Sequence, residues 1–242
     1  TRVDTKPRMP YFFHLGDINN SDLIYKLGSF TAKVIGDLGF NLNLAPVLDL
    51  ADSTDGSFIS LRSFGSIPSK VSKLGYHYSK GLLDNNVIPT AKHFPGLGNL
   101  TTDPHTSMTS RSLSLQDLDA NDLIPFKEYS KLGPNTVVML SHIIYERIDP
   151  SKTPASFSNY IIDDLLRKRV GFKGVVITDD LHMKSSSSTM TPSHAAVSAI
   201  KAGADIVMLS WSLPEQRKSF EAIKKAVLKG EIAESKINEK VL

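Results

Sequence analysis

Short runs of Val, Ile and Leu alternate along this chain with longer segments whose apolar residues recur at helical spacing. The apolar runs predict five strands, at 41–50, 87–94, 135–143, 174–178 and 205–209. Helices are predicted at 21–40, 68–86, 123–132, 158–170 and 193–202, and two further helical stretches close the chain. Because near-continuous apolar strands that alternate with helices are typical of a parallel sheet covered by helices, the sequence predicts an α/β fold.

Two architectures have this alternation, the open doubly wound sheet and the (β/α)8 TIM-type barrel. No G-x-G-x-x-G motif follows the first strand, since Gly96 and Gly98 lack the third glycine. Polar residues fall where the predicted strands end, which in a barrel is the mouth that carries the active site; they are Asp49, Lys92, His93, His142, Asp179 and Asp180. We therefore expect a single catalytic barrel domain over residues 1–242, with its first strands before Thr1 because five strands cannot close the barrel.

The composition excludes several classes of protein. The formal charge of +3 is spread over the 242 residues, without the basic stripe and interleaved aromatics of a nucleic-acid-binding surface. The absence of cysteine excludes disulfides, thiolate catalysis and zinc–cysteine sites. No apolar run approaches the roughly 20 residues that span a bilayer, so we expect neither a nucleic-acid partner nor a membrane span.

Asp103, Pro104 and His105 form the most informative short pattern, on a predicted loop. A carboxylate two residues before a histidine can hold the imidazole and raise its pKa, as a group that handles protons requires. A local turn with a surface histidine has the same pattern. The choice between them depends on whether a partner lies nearby, and Asp179 is the residue that could provide it.

Asp179 and Asp180 follow a predicted buried strand. An aspartate there could cap the next helix, since aspartate is a favoured N-cap residue. A carboxylate at the mouth of a barrel is also where burial and neighbouring charges tune a catalytic group. From these residues alone both interpretations stay open.

Lys92 and His93 lie at the end of another predicted strand. The lysine could form a Schiff base with a carbonyl substrate, could be solvated or ion-paired, or could join the histidine in binding the hydroxyls of a polar ligand. The residue types of a metal site are also present, but without H-x-H or H-E-x-x-H spacing, so we expect no metal and no cofactor; they are His93, Asp103, His105, His142 and Asp179.

Five ordered motifs together resemble glycoside hydrolase family 3, in its bacterial β-N-acetylglucosaminidase branch, whose enzymes trim cell-wall fragments. They are KHFPGLG at 92–98 with D-x-H at 103–105, NLAPVLDL at 43–50, RSFGSIP at 62–68, VVMLSHIIY at 137–145 and GFKGVVITDDLHM at 171–183. KAGADIVML at 201–209 is similar to the last barrel strand of that family. The resemblance covers nearly the whole chain.

The resemblance implies a role for each matching residue. Asp179 would be the nucleophile, and His105, held by Asp103, the general acid/base. The remaining site residues would bind or surround the sugar: Arg62, Lys92, His93 and Met183 as substrate-binding residues, and His142 and Asp49 as neighbours that shape the site. A further sugar-binding aspartate would precede Thr1, and Leu97 stands where many relatives carry histidine.

The activity implied is that of a retaining exo-β-N-acetylglucosaminidase acting on peptidoglycan fragments. A histidine can serve as its acid/base because an imidazole exchanges protons in both directions near neutral pH. The resemblance further implies a carbohydrate or muropeptide substrate, a monomer and a cytoplasmic location. The alternatives are a family 3 β-glucosidase, a phosphorolytic glycosidase and a non-catalytic sugar-binding domain.

Overall fold

The computed structural model describes residues 9–52, 58–98, 100, 109–183 and 190–241. The helices are α1 (Phe12–Ile18), α2 (Ser21–Gly36), α3 (Pro68–Leu83), α4 (Leu115–Ala120), α5 (Leu123–Ser130), α6 (Tyr160–Val170), α7 (Pro192–Ala202), α8 (Leu213–Leu228) and α9 (Glu234–Val241). The strands are β1 (Leu42–Asn43), β2 (Ile88–Phe94), β3 (Ser110–Arg111), β4 (Val137–Leu140), β5 (Ile144–Tyr145), β6 (Val175–Asp180) and β7 (Ile206–Met208). Short 3₁₀ turns span Ser60–Arg62 and Ala155–Phe157, and α6 is wound as a π-helix.

Five of these strands form one parallel sheet in the order β1-β2-β4-β6-β7. Each strand joins the same side of the one before it, without the reversal of strand order that defines a doubly wound sheet. The sheet curls into half of a TIM-type barrel, and the α/β fold predicted from the alternation is confirmed. That further strands precede Thr1, and that residues 1–242 form one catalytic domain, stay predictions.

The core lies between the sheet and the helices. Strand β4 is buried along its whole length, as expected for a central strand with both faces covered. The buried Tyr129 of α5 donates its hydroxyl to the carbonyls of Pro89 and Val137, which belong to neighbouring strands. This contact satisfies a polar group inside the core and fixes α5 against β2 and β4.

The structure shortens one predicted strand and lengthens another. Of the predicted strand 41–50 only Leu42 and Asn43 pair as a strand, because Pro46 has no N–H for the ladder, and a single bridge from Val47 to Lys92 follows. Strand β6 instead continues to Asp180, so Asp179 and Asp180 are its last residues. This corrects their expected place beyond the strand and rules out a helix-capping role for Asp179.

A two-stranded parallel sheet of β3 and β5 lies beside the main sheet. A reciprocal capping box between Ser114 and Asp117 begins helix α4. No helix of the described ranges is long and apolar enough to cross a membrane.

Candidate active site

A cavity of about 1350 Å³ is lined by residues 9–12, by α2 and the 40–47 segment, and by the carboxyl-terminal parts of β2, β4, β6 and β7. Polar side chains from separate parts of the chain line it, together with apolar ones from β4, β7 and the residues that follow β7; among them are Arg62, Lys92, His93, Asp179, Asp180, His182, Met183, Ser210, Met139, Met208 and Trp211. A smaller adjoining space brings His142 next to Arg62, His93, Asp179 and Met183. Predicted site residues that lie far apart in the sequence are therefore brought together.

Asp49 holds the end of β2 in place. Its carboxylate, which has no exposed surface, accepts hydrogen bonds from the backbone N–H groups of His93 (3.2 Å) and Leu97 (2.8 Å). It also accepts a 2.7 Å hydrogen bond from His93 Nδ1. Because a carboxylate only accepts, the Nδ1 atom of His93 carries a proton and its Nε2 atom is directed toward Asp179.

The loop after β2 requires its two glycines. Gly96 has φ +129°, and a Cβ there would lie 2.6 Å from Asp122 Oδ1. Gly98 has φ +57°, and a Cβ there would lie 2.4 Å from Arg111 Nη2. The Gly96 carbonyl accepts hydrogen bonds from Arg111 Nη1 and from the Tyr145 hydroxyl, both at 2.7 Å. These buried contacts set the path by which the chain leaves the site.

The 3₁₀ turn Ser60–Arg62 brings Arg62 to the cavity wall. Ser63, the next residue, donates its hydroxyl to the Asp49 carbonyl at 2.6 Å. The backbone N–H of Ala51 donates to the Gly65 carbonyl at 3.1 Å. The arginine turn is thus fixed to the same segment that supplies Asp49.

Asp179 is the carboxylate at the centre of the site. Its Oδ2 atom lies 3.8 Å from His93 Nε2, and its Oδ1 atom accepts the Asp180 N–H at 2.8 Å. Burial by itself would raise the pKa of Asp179, but the neighbouring His93, the Asp180 N–H and Lys92 together hold it below its usual value. The carboxylate is therefore ionised at neutral pH, as a nucleophile requires.

His142 lies behind Asp179 and uses both ring nitrogens within the protein. Nε2 donates to the Asp180 carbonyl at 3.2 Å, and Nδ1 lies 2.6 Å from the hydroxyl of Ser156. Burial lowers the pKa of His142, so the ring is neutral at pH 7 and Nδ1 accepts from that hydroxyl. His142 thus supports the end of β6 and has no ring nitrogen left for a sugar.

Sequence reasoning missed a second group of contacts around Asp180. Its Oδ1 atom accepts the backbone N–H of His182 (3.0 Å) and lies 3.2 Å from His182 Nδ1. Its Oδ2 atom accepts the hydroxyl of Ser210, which follows β7. The D-x-H pattern of 180–182 is the same as that of 103–105 and was a signal that could have identified His182.

Asp103 and His105 lie outside the described residues, so the acid/base dyad stays a prediction. The roles assigned to the other residues also stay predictions, although the structure brings those residues to one site. Among the described residues no three His, Asp or Glu side chains are grouped as metal ligands. The described site therefore contains an ionised carboxylate, largely buried in the cavity wall, beside cationic and hydrogen-bonding groups.

Comparison with known proteins gives the family. Residues 1–242 match the glycosyl hydrolase family 3 N-terminal domain. A protein named beta-hexosaminidase from Psychromonas ingrahamii is 39% identical over 168 residues, which cover 69% of this chain and 49% of that relative. Beta-hexosaminidase A of Pseudoalteromonas piscicida is 34% identical over 194 residues, covering 76% of this chain and 32% of that protein.

Among solved structures, the family 3 β-N-acetylglucosaminidase from Paenibacillus sp. str. FPU-7 superposes with a TM-score of 0.90 at 34% identity. The match covers 94% of this chain and 43% of that one. The matched part of the chain therefore spans 32% to 49% of the length of these three relatives. Its full-length match to the family, together with the fold and the strand-end site, shows that it belongs to glycosyl hydrolase family 3.

Proposed function

We propose that this chain carries the catalytic site of a retaining exo-β-N-acetylglucosaminidase, which removes terminal β-linked N-acetylglucosamine from peptidoglycan fragments. One observation carries the proposal: the ionised Asp179 carboxylate lies at the end of β6, 3.8 Å from His93 Nε2, in the wall of a cavity that Arg62 also lines. The names of the relatives, beta-hexosaminidase and β-N-acetylglucosaminidase, support the choice of sugar.

In this mechanism Asp179 attacks the anomeric carbon and forms a covalent glycosyl-enzyme while the aglycone oxygen leaves. His105, oriented by Asp103, protonates the leaving oxygen and then takes a proton from the water that hydrolyses the intermediate. An ionised nucleophile and a separate proton carrier satisfy the two chemical requirements of a retaining glycosidase.

Arg62, Lys92 and His93 are proposed to bind the hydroxyl and acetamido oxygens of the sugar, because all three line the cavity that contains Asp179. Met183 supplies an apolar surface to both cavities. Asp49 acts through His93 and Leu97, and its own oxygens face inward. A cytoplasmic, monomeric enzyme is part of the proposal.

The test is a rate comparison on the full-length protein with 4-nitrophenyl β-N-acetylglucosaminide and the matching glucoside, each with and without inorganic phosphate. We expect hydrolysis of the N-acetyl substrate, with no rate increase and no sugar phosphate when phosphate is added. Faster cleavage of the glucoside, or a sugar 1-phosphate product, would replace this function by one of the two enzymatic alternatives. Failure to cleave either substrate would support a sugar-binding role.

The dyad is tested by leaving-group dependence. A nitrophenol needs little protonation to depart, whereas the alcohol of a natural disaccharide needs a full proton. His105→Ala should therefore lose much more activity on the disaccharide than on the aryl glycoside, and Asp103→Ala should show the same pattern less severely. Equal losses on the two substrates would assign the acid/base to another residue.

A further inference from the structure

His182 lies in the wall of the cavity that contains Asp179, three residues further along the chain. Its Nδ1 atom faces Asp180 Oδ1 at 3.2 Å, and its backbone N–H donates to the same oxygen at 3.0 Å. The other oxygen of Asp180 accepts the Ser210 hydroxyl. The imidazole is therefore held from one side by a carboxylate that is itself held by the next strand.

The Nε2 atom of His182 is buried and has no hydrogen-bond partner among the residues that the structure describes. Because the Asp180 carboxylate only accepts, it holds a ring proton on Nδ1, and in that tautomer Nε2 is the acceptor. A buried acceptor without a donor costs free energy, and such a group in a native structure calls for an explanation. Its place in the cavity wall provides one, a donor supplied by a ligand.

We propose that His182 is a further substrate-binding residue, whose Nε2 accepts a hydrogen bond from a hydroxyl of the sugar bound against Asp179. Asp180 and Ser210 are positioning residues that fix the tautomer and the direction of the ring. This inference rests on the proposed function, since it takes the ligand to be N-acetylglucosamine. It gives the second aspartate of the T-D-D sequence a function different from that of the first.

An acid/base role for His182 is the alternative, because Asp180 and His182 repeat the D-x-H spacing of Asp103 and His105. Binding is favoured because His182 lies two residues beyond β6, the strand that carries Asp179, and its Nε2 is enclosed in the wall. A proton carrier for both half-reactions has to meet the leaving group and then water. The two roles differ in leaving-group dependence, which the test includes.

Two variants separate the ring nitrogens. The amide of Gln reaches the position of Nε2, whereas the shorter amide of Asn reaches only that of Nδ1. His182→Gln therefore keeps an acceptor toward the sugar, and His182→Asn removes it.

The experiment measures inhibition constants for N-acetylglucosamine and its 3-, 4- and 6-deoxy analogues with each full-length protein, using the aryl glycoside as substrate. Direct binding is followed in parallel by the fluorescence of Trp211, the single tryptophan of the chain, which lines the same cavity. Thermal unfolding of each variant shows that it is folded.

We expect one deoxy analogue to bind the wild-type protein about tenfold more weakly than the parent sugar. His182→Asn should bind the parent sugar about tenfold more weakly and that analogue without further loss, while His182→Gln retains most of the affinity. The assignment would be overturned if His182→Asn and the removal of each hydroxyl weakened binding independently, so that their effects add for all three analogues. Equal losses of affinity in the Gln and Asn variants would also overturn it.

A loss in His182→Asn that is far larger on a disaccharide than on the aryl glycoside would also overturn it, in favour of an acid/base role. The proposed function is tested separately by the wild-type protein. If that protein hydrolyses the aryl N-acetylglucosaminide while the deoxy losses are additive, only the role of His182 falls. If it neither hydrolyses that substrate nor binds the sugar, the function and the role of His182 fall together.

Discussion

The two ends of the parallel sheet carry similar charged groups that differ in how many of their polar atoms have hydrogen-bond partners within the protein. At the amino end, Asp205 Oδ2 accepts hydrogen bonds from Arg167 Nη2 and the Val176 N–H, both at 2.8 Å, and Oδ1 accepts from Lys240 Nζ. The same guanidinium donates to the Gly174 carbonyl and lies 5.5 Å from the centre of the Phe172 ring. Both oxygens of this carboxylate are satisfied within the protein.

At the carboxyl end, polar groups are equally well held but retain capacity for a ligand. Asp179 accepts one backbone N–H and keeps 16% of its side chain exposed, and within the described ranges His182 has one ring nitrogen without a partner. In TIM-type barrels the carboxyl end carries the active site and the amino end contributes stability. The comparison suggests a criterion for this chain: paired charges indicate stability, and well-positioned groups with unused capacity indicate binding.

The largest expected effect that tests this criterion is at Asp179. Asp179→Asn removes the attacking carboxylate but keeps its shape, so kcat/KM on the aryl N-acetylglucosaminide should fall on the order of 10⁴-fold or more. Thermal unfolding should change little, because an amide fits the same space. Asp205→Asn is the matched control and should keep its kcat. Residual activity within tenfold of wild type in Asp179→Asn would show that unused binding capacity at the carboxyl end does not mark the catalytic carboxylate.

The amino end should show the reverse, loss of stability without loss of catalysis. Asp205→Ala leaves Arg167 and the Val176 N–H without their partner, at a site where the side chains are 15% and 27% exposed. We expect the free energy of unfolding in urea to fall by about 2 kcal/mol. The kcat of the folded variant should be unchanged. A large fall in kcat for a variant that remains folded would connect this end of the sheet to the chemistry.

A smaller effect is expected in the pH dependence of stability, through His142. Burial lowers the pKa of its imidazole, so between the folded pKa and the unfolded value of about 6.5 only the unfolded chain binds the proton. Stability therefore falls as pH decreases below about 6.5. His142→Gln removes this titration, and the difference in unfolding free energy between pH 7.5 and pH 5.5 should shrink. An unchanged difference would show that His142 is not neutral in the folded protein.

The local pattern predicted the five strands of the main sheet and most helices because these elements follow from periodicity, but it did not predict α1, β3 or β5. It predicted which polar residues lie near the carboxyl ends of the strands, because those residues follow the apolar runs. The supporting contacts depend on pairing over long distances in sequence. Asp49 holds a backbone N–H 48 residues away, and Ser210 reaches Asp180 across 30 residues. Nothing local marks such partners. His142 illustrates the limit: its position was predicted, but its two partners decide that it supports β6.

We expect the smallest effect at Asp119, which tests whether exposed ion pairs stabilise the fold as enclosed ones do. Its pKa is lowered, as that of Asp179 is, although Asp119 lies on the surface. Hydrogen bonds from Arg169 and Lys127 lower the pKa of Asp119 to about 2. These partners are 44% and 40% exposed, so solvent and salt screen them. The stabilisation is present above the unfolded pKa of about 3.9 and is lost as pH falls toward 2.

Asp119→Asn should lower Tm by no more than about 3 °C at neutral pH, and by less in 1 M salt. Activity should be unchanged. A loss as large as that of Asp205→Ala, unaffected by salt, would mean that exposed pairs stabilise this fold as strongly as enclosed ones, and completeness of pairing would no longer separate the two ends of the sheet.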